Sequence, residues 1–111
     1  MSAPAANTPA APATVLPAAQ TLLQAAKLAM EQDKPILLDY YADTANKRAF
    51  MGEDAETKEK MLVKSQEEFT SLVQKTYKVG EDYLVLTENS IYLVSGKIEK
   101  RRIQASVLRG F

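Results

Sequence analysis

The sequence contains no cysteine and no histidine. A chain without thiols and imidazoles can form no disulfide, and it lacks the ligands of the common structural zinc sites. Thiol catalysis and the Ser-His-Asp and Cys-His arrangements are excluded for the same reason. The absence of cysteine also fits a protein that is made in a reducing compartment.

Glycine and long apolar runs are scarce as well. The four glycines stand singly in the sequence, so there is no glycine-rich phosphate loop and nucleotide hydrolysis is not expected. No segment approaches the roughly 18 consecutive apolar residues of a membrane-spanning helix. The N-terminus lacks the positive start and the compact apolar run of a secretory signal. We therefore expect a soluble protein without a membrane span, made inside the cell.

Carboxylates are the remaining candidates for catalysis. General acid–base catalysis needs carboxylates that converge across a cleft with shifted pKa values, and adjacency in a loop supplies neither condition. Asp39 lies in an otherwise apolar segment and needs a partner, with Lys34, Arg48 or a backbone donor as candidates. We predict that the protein is not an enzyme and has no cofactor or metal site. The adjacent pairs that occur in predicted loops, turns or helix starts are Glu53–Asp54, Glu67–Glu68 and Glu81–Asp82.

The charge of the chain is balanced overall but not along its length. It has 14 basic and 14 acidic residues, for a net charge of zero, which argues against a protein that coats nucleic acid. Residues 31–96 carry 13 acidic and 8 basic side chains, whereas residues 97–111 carry 1 acidic and 5 basic side chains. The basic excess therefore lies at the C-terminal end.

Four of these basic residues, Lys97, Lys100, Arg101 and Arg102, form a cluster. On a strand, Lys100 and Arg102 would share one face and Arg101 would lie on the other. Such a cluster is typical of an edge strand that charge protects from aggregation. The alternatives are a site for phosphate, from a lipid headgroup or nucleic acid, and a contact with an acidic protein partner.

The composition divides the chain into an arm, residues 1–17, and a single domain, residues 18–111. Residues 2–17 hold four of the five prolines and no charged side chain, which predicts a disordered or extended arm. An Ala/Pro arm could also dock on a neighbouring protein, because it loses little entropy when it is fixed in an extended form. The domain is large enough for one core but leaves little room for an enclosed cavity.

The segment Pro17–Gln32 has the spacing of an amphipathic helix. Its apolar stripe is predicted to pack against the sheet that follows, and the alternative is that the helix presents the stripe to a partner protein. The stripe consists of Leu22, Leu23, Ala26, Ala29 and Met30.

The segment Asp82–Ile103 carries the strongest strand signal. A two-residue turn at Glu88–Asn89 pairs Leu86 with Ile91 and places two matched sets of side chains on opposite faces. A further turn at Ser95–Gly96 would start a third strand and place Ile98 opposite Leu93. The predicted pairs beyond the first are Val85 with Tyr92, Leu84 with Leu93, and Tyr83 with Val94.

The remaining strands and a short inserted helix complete the predicted domain. A capping-box pattern at Ser65–Glu68 predicts the helix, which would run to about Val73. We therefore predict an α+β fold with an N-terminal helix and a curled antiparallel sheet of five to seven strands, forming a small barrel or sandwich. The other predicted strands are Ile36–Tyr41, Arg48–Gly52, Met61–Lys64 and Thr76–Val79.

Three stretches resemble a family of small proteins encoded by nucleocytoplasmic large DNA viruses of algae and amoebae. They are DKPILLDYYADTANKRAFMG (Asp33–Gly52), LVKSQEEFTSLVQKTYKV (Leu62–Val79) and TENSIYLVSGKI (Thr87–Ile98). The resemblance implies a virus-encoded protein without known activity, made in the host cytoplasm and located in the virion. Leu72 departs from the family pattern, which has proline there.

The segment LVLTENSIYLVSGKIEKRRI is also similar to a strand pair of pleckstrin-homology-like domains, in which a hairpin ends in basic residues. Those domains close their barrel with a C-terminal helix, whereas only Gln104–Phe111 remain here, and this tail could be a last strand or a turn of helix.

From these observations we expect a non-enzymatic, virion-associated structural or interaction module, such as a minor capsid or internal virion component. Its partners would be other virion or capsid proteins, with self-association through a sheet edge as a further expectation. The alternative is a phosphate-recognising module that uses residues 97–102 to bind lipid or nucleic acid, with nucleic acid not favoured.

Overall fold

The computed structural model describes residues 16–104. Most of the predicted arm, and the tail beyond Gln104, lie outside the described residues. Within them two helices and eight strands follow one another along the chain. These elements are α1 (Ala19–Gln32), β1 (Ile36–Leu37), α2 (Tyr41–Ala45), β2 (Phe50–Asp54), β3 (Lys60–Ser65), β4 (Glu68–Phe69), β5 (Val73–Val79), β6 (Asp82–Thr87), β7 (Ile91–Ser95) and β8 (Glu99–Ile103).

The strands form two four-stranded sheets. Sheet A has the order β1-β7-β6-β5 and sheet B has the order β4-β3-β2-β8. The predicted α+β class and N-terminal helix are confirmed. The sheets are not closed into a barrel, so the barrel alternative is wrong. The prediction of an antiparallel sheet is also wrong, because β1 pairs with β7, and β2 with β8, in parallel.

The hairpin of β6 and β7 forms the centre of sheet A, and its predicted register is confirmed from Leu86↔Ile91 to Tyr83↔Val94. The two faces of this hairpin bury different layers of the molecule. One face packs against α1 and α2, through Leu84, Leu86, Ile91, Leu93, Ala25 and Tyr41. The other face packs against sheet B, through Val85, Val94, Ala49, Met51 and Leu62, with Tyr40 beside them.

Helix α1 packs on sheet A through a face next to the predicted stripe. Thr21 and Ala25 are fully buried, and Leu28 and Ala29 pack against the core. The predicted packing of the stripe as a whole is therefore wrong, since Ala29 alone of its members contacts the core. A hydrogen bond from Thr21 Oγ1 to the buried carboxylate of Asp82 sets the rotation of the helix, because it holds Thr21 against the sheet.

The inserted helix occurs at a different place from the one predicted. The capping-box segment forms the β3–β4 turn, in which Ser65 Oγ accepts a hydrogen bond from the nearby Glu67 N–H, as in a serine turn. The helix is α2, which occupies the predicted end of the first strand at Tyr40–Tyr41. The buried hydroxyl of Thr44 shares its one proton between the carbonyl oxygens of Tyr40 and Tyr41, each 2.9 Å away, at the start of α2.

Strand β8 crosses to sheet B instead of pairing with β7, so the predicted position of Ile98 opposite Leu93 is wrong. The Gly96 N–H donates to the Glu81 carbonyl and extends the β6–β7 pairing by one residue, and the Ile98 N–H then donates to the Ser95 carbonyl in the turn that leads away from β7. Ile98 then packs between the sheets. The charged strand β8 forms the edge of sheet B and runs to Ile103.

Candidate functional site

An open groove with a volume of about 510 Å³ lies between the two sheets. We call it the inter-sheet groove. It has an apolar floor and a polar rim. The floor consists of Met51, Tyr83, Val85, Val94 and Ile98, and the rim of Glu53, Lys60, Thr76, Lys100, Arg101 and Arg102.

The floor lies at the edge of the inter-sheet core. Val85 and Val94 are fully buried between the sheets, while Tyr83 and Ile98 are only partly buried beside them. Both strands of the central hairpin therefore present apolar side chains to the groove. Apolar surface of this kind favours a ligand that carries apolar groups of its own.

The register of sheet B brings the cations of the rim together. Lys100 pairs with Met51, and Arg102 with Glu53, while Lys60 pairs with Glu53 from the other side. Paired residues project from the same face of a sheet, so Lys60, Lys100 and Arg102 project from the face that packs on sheet A. The predicted common face of Lys100 and Arg102 is thus present, and three of the four rim cations project from this face against one carboxylate.

None of these three cations forms a salt bridge within the part of the chain that the structure describes. Within residues 16–104, the side chains of Lys60, Lys100 and Arg102 take part in no salt bridge, and all three are exposed. An exposed cation beside apolar surface attracts an anionic ligand more strongly than a paired cation does. The groove therefore has the chemistry to bind an anion that also carries apolar groups.

Arg101 and Lys97 differ from their neighbours in the predicted cluster. The Arg101 guanidinium bonds Glu99 at 2.7 Å and lies 4.5 Å from the centre of the Phe50 ring, on the opposite face of sheet B. Its hydrogen bond lowers the pKa of the Glu99 carboxyl. Lys97 lies outside the inter-sheet groove, and its carbonyl oxygen accepts a hydrogen bond from Lys47 Nζ.

Lys60 is the rim residue that the basic cluster in the sequence did not reveal. It lies about forty residues before β8 in the chain, and only the pairing of β3 with β2 brings it to the groove. A usable signal is its position opposite Glu53 across the short connection of residues 54–59. Without knowledge that β2 also pairs with β8, that signal did not connect Lys60 to the cluster.

The predicted partner-facing stripe lies on the other side of sheet A. Leu22, Leu23 and Met30 are 41%, 52% and 78% exposed, and Ala26 is exposed as well. Helix α1 packs on the hairpin face opposite the one that forms the groove floor. The stripe and the inter-sheet groove are therefore two separate surfaces.

A second charged cluster surrounds Lys64, whose ammonium lies 3.3 Å from Asp43 and 3.7 Å from both Asp39 and Glu68. Asp39 thus finds a partner that its sequence neighbourhood did not suggest. Burial lowers the pKa of Lys64, but the hydrogen bond to Asp43 and the three carboxylates outweigh burial, and the pKa is raised. Among residues 16–104, no group of carboxylates could hold a metal ion.

The Lys64 ammonium also lies 4.5 Å from the centre of the Tyr40 ring, which meets Tyr92 edge to face. Burial, followed by the neighbouring charges, raises the pKa of Tyr40. Cation and aromatic contacts therefore account for this cluster as structural packing.

Two findings concern membrane spans and similarity to known proteins. In the described part of the chain, neither helix is long and apolar enough to cross a membrane. Comparisons with known protein families, curated proteins and solved structures give no match to this chain. The geometry of the two surfaces is therefore the basis for a functional proposal.

Proposed function

We propose that this protein is a non-enzymatic interaction module that binds an acidic segment of a partner protein in the inter-sheet groove. The observation that carries the proposal is a set of three cations, Lys60, Lys100 and Arg102, that have no salt bridge within residues 16–104 and stand above an apolar floor. The partner needs carboxylates for the rim and apolar groups for the floor, and a protein segment supplies both. By the resemblance to large DNA virus proteins, the partner is another virion component.

A phosphate ligand explains the groove less completely. Phosphate would satisfy the cations, but it would leave the partly buried apolar side chains of the floor, Tyr83 and Ile98, in contact with water. Single-stranded nucleic acid binds by stacking bases on several aromatic rings, whereas among residues 16–104 Tyr83 is the only aromatic residue that lines the groove. The acidic protein segment therefore fits more of the site.

The test is calorimetric titration with a synthetic peptide that combines glutamate and valine. Charge reversal by Lys100→Glu with Arg102→Glu is expected to weaken binding about tenfold or more, because attraction becomes repulsion at the rim. The control is Lys27→Glu with Arg48→Glu, which changes the net charge equally at exposed positions outside the groove. The proposal also requires that binding weaken as the salt concentration rises.

Equal binding by both double variants would show that the groove is not the site. Tighter binding of dodecyl phosphate, or of an oligonucleotide, than of the peptide would replace the protein partner by a lipid-like or nucleic acid ligand. Each of these results contradicts the proposal directly.

A second candidate function rests on the exposed stripe of α1. Three large apolar side chains, Leu22, Leu23 and Met30, face solvent on one helix, and such a surface is typical of a contact with another protein. We propose that this stripe packs against a virion or capsid protein. Cross-linking mass spectrometry on particles tests this, since Lys27 lies on the same helix and would link to a coat protein. Cross-links from Lys27 to non-structural proteins alone would contradict it.

A further inference from the structure

Strand β8 has an open edge next to the inter-sheet groove. Within residues 16–104 it pairs with β2 on one side and has no strand on the other. Its residues Lys100 and Arg102 line the groove. A ligand in the groove therefore lies beside backbone groups that can still form a sheet ladder.

The hydrogen bonds of sheet B identify those backbone groups. The Ile103 carbonyl accepts the Ala55 N–H at 2.9 Å, so the backbone groups of Ile103 point toward β2. The N–H and C=O of successive residues point to opposite sides of a strand. The backbone groups of Lys100 and Arg102 therefore point away from β2, toward the open edge. Within the described residues, the backbone groups that face the open edge thus belong to the same residues whose side chains lie in the groove.

We infer that the acidic partner segment binds as an added strand along the open edge of β8. This inference rests on the proposed function, because it describes how the same groove holds the same partner. Main-chain hydrogen bonds to Lys100 and Arg102 would supply affinity, and alternate side chains would enter the groove and supply specificity. Strand addition thus uses the backbone groups of the open edge and the rim cations together.

The charges of β8 also select which strand can add. A second copy of β8 would place Lys100 and Arg102 opposite cations and would be repelled, which opposes self-association through this edge. An acidic strand would place carboxylates beside them and would be attracted. The edge therefore disfavours pairing with a second copy of β8 and favours pairing with a segment of opposite charge.

The side chains of residues 98–102 that face the groove predict a sequence pattern for the partner strand. Ile98, Lys100 and Arg102 alternate along the chain on this face, and Ile98 belongs to the apolar floor. An added strand should therefore carry an apolar residue beside Ile98 and acidic residues beside Lys100 and Arg102. Read along the chain, the pattern is apolar-x-acidic-x-acidic for a parallel strand and the reverse for an antiparallel one.

The experiment uses synthetic peptides in which serine fills the x positions and glutamate the acidic ones, in both orders. The matched control has the same composition with the two glutamates adjacent. Amide exchange of the full chain is followed by NMR with peptide at about one hundred times its Kd. Exchange at Lys100 and Arg102 is then expected to slow about one hundredfold if bound complex protects those amides. The adjacent-glutamate control is expected to bind about tenfold more weakly.

Backbone methylation of the peptide gives a second readout that leaves the protein unchanged. Methylating amides that face β8 should weaken binding about tenfold, while methylating the alternate amides should have little effect. If the patterned peptide binds without protecting Lys100 and Arg102, or no better than its control, strand addition is wrong and the groove proposal stands. If no acidic peptide binds at all, both the added strand and the proposed function are wrong.

Discussion

Thr21 Oγ1 donates a hydrogen bond of 2.6 Å to Oδ2 of Asp82, and both residues are buried. The same carboxylate accepts the Tyr41 hydroxyl at 2.6 Å and the Ala18 N–H at 3.2 Å. One side chain of β6 thus fixes the start of α1 and the start of α2. Because Thr21 must face the sheet, the stripe that contains Leu22 and Leu23 is turned toward solvent.

The first prediction concerns this hydrogen bond. Thr21→Val keeps the shape of the side chain but removes a donor from a buried carboxylate, so we expect a loss of about 1–3 kcal/mol in the free energy of unfolding. Urea denaturation measures the loss. Gln20→Ala, on the exposed side of the same helix turn, is the control and should change stability by less than about 0.5 kcal/mol. Equal stabilities of the two variants would contradict the assigned role of Thr21.

The second prediction concerns alkaline pH. Burial, and then the hydrogen bond to Asp82, raises the pKa of Tyr41 from 10.0 to about 12. The unfolded chain therefore releases this proton at lower pH than the folded chain does. The stability that Tyr41 contributes is complete below pH 10 and is lost as the pH rises from 10 to about 12.

Urea denaturation at several pH values between these limits tests this expectation. Tyr41→Phe removes the titrating hydroxyl, so the free energy of unfolding should fall less steeply with pH in the variant than in the parent chain. Other groups that titrate in this range are common to both proteins and cancel in the comparison. Parallel curves for the two proteins would contradict the raised pKa.

The register of the β6–β7 hairpin could be predicted from the sequence because it is local. A slip of one residue would mix the apolar and aromatic faces, so the pairing from Leu86↔Ile91 onward has one good solution. The path of β8 could not be predicted in this way. Its parallel partner, β2, lies about fifty residues earlier, and the alternation of Lys100, Arg101 and Arg102 is equally compatible with either sheet.

The candidate site, like the fold, could be predicted only where it depends on local sequence. The common face of Lys100 and Arg102 follows from strand periodicity alone. The contribution of Lys60 and the apolar floor depends on sheet B packing across the hairpin, which no local pattern specifies. The orientation of α1 depends on one buried polar contact, the hydrogen bond of Thr21 with Asp82. This contact turns Thr21 toward the sheet and leaves the apolar stripe facing solvent.

The third prediction concerns Lys64. Lys64→Met leaves Asp39, Asp43 and Glu68 without their shared cation, so we expect the variant to lose about 1–2 kcal/mol of stability at neutral pH. The loss should shrink at about 1 M salt, because salt screens the repulsion between the carboxylates that remain. Guanidinium is itself a salt, so urea denaturation is the measurement. Lys27→Met is the control for removing an exposed cation, and a loss of the same size there would contradict the prediction.

The fourth prediction compares two glycines. A Cβ on Gly96 would overlap the carbonyl oxygen of Glu81, which belongs to the backbone, whereas a Cβ on Gly52 would lie 2.6 Å from the mobile end of the Ile103 side chain. Because backbone yields less than a side chain, Gly96→Ala should destabilise by about 3 kcal/mol and Gly52→Ala by about 1 kcal/mol.

A double-variant comparison separates the two causes. In an Ile103→Ala background the cost of Gly52→Ala should disappear, since the obstructing atoms are gone, while the cost of Gly96→Ala should remain. Urea denaturation of the single and double variants measures both differences. Strict additivity of Gly52→Ala with Ile103→Ala would show that Ile103 does not lie over Gly52, and it would place β8 in a different register on β2.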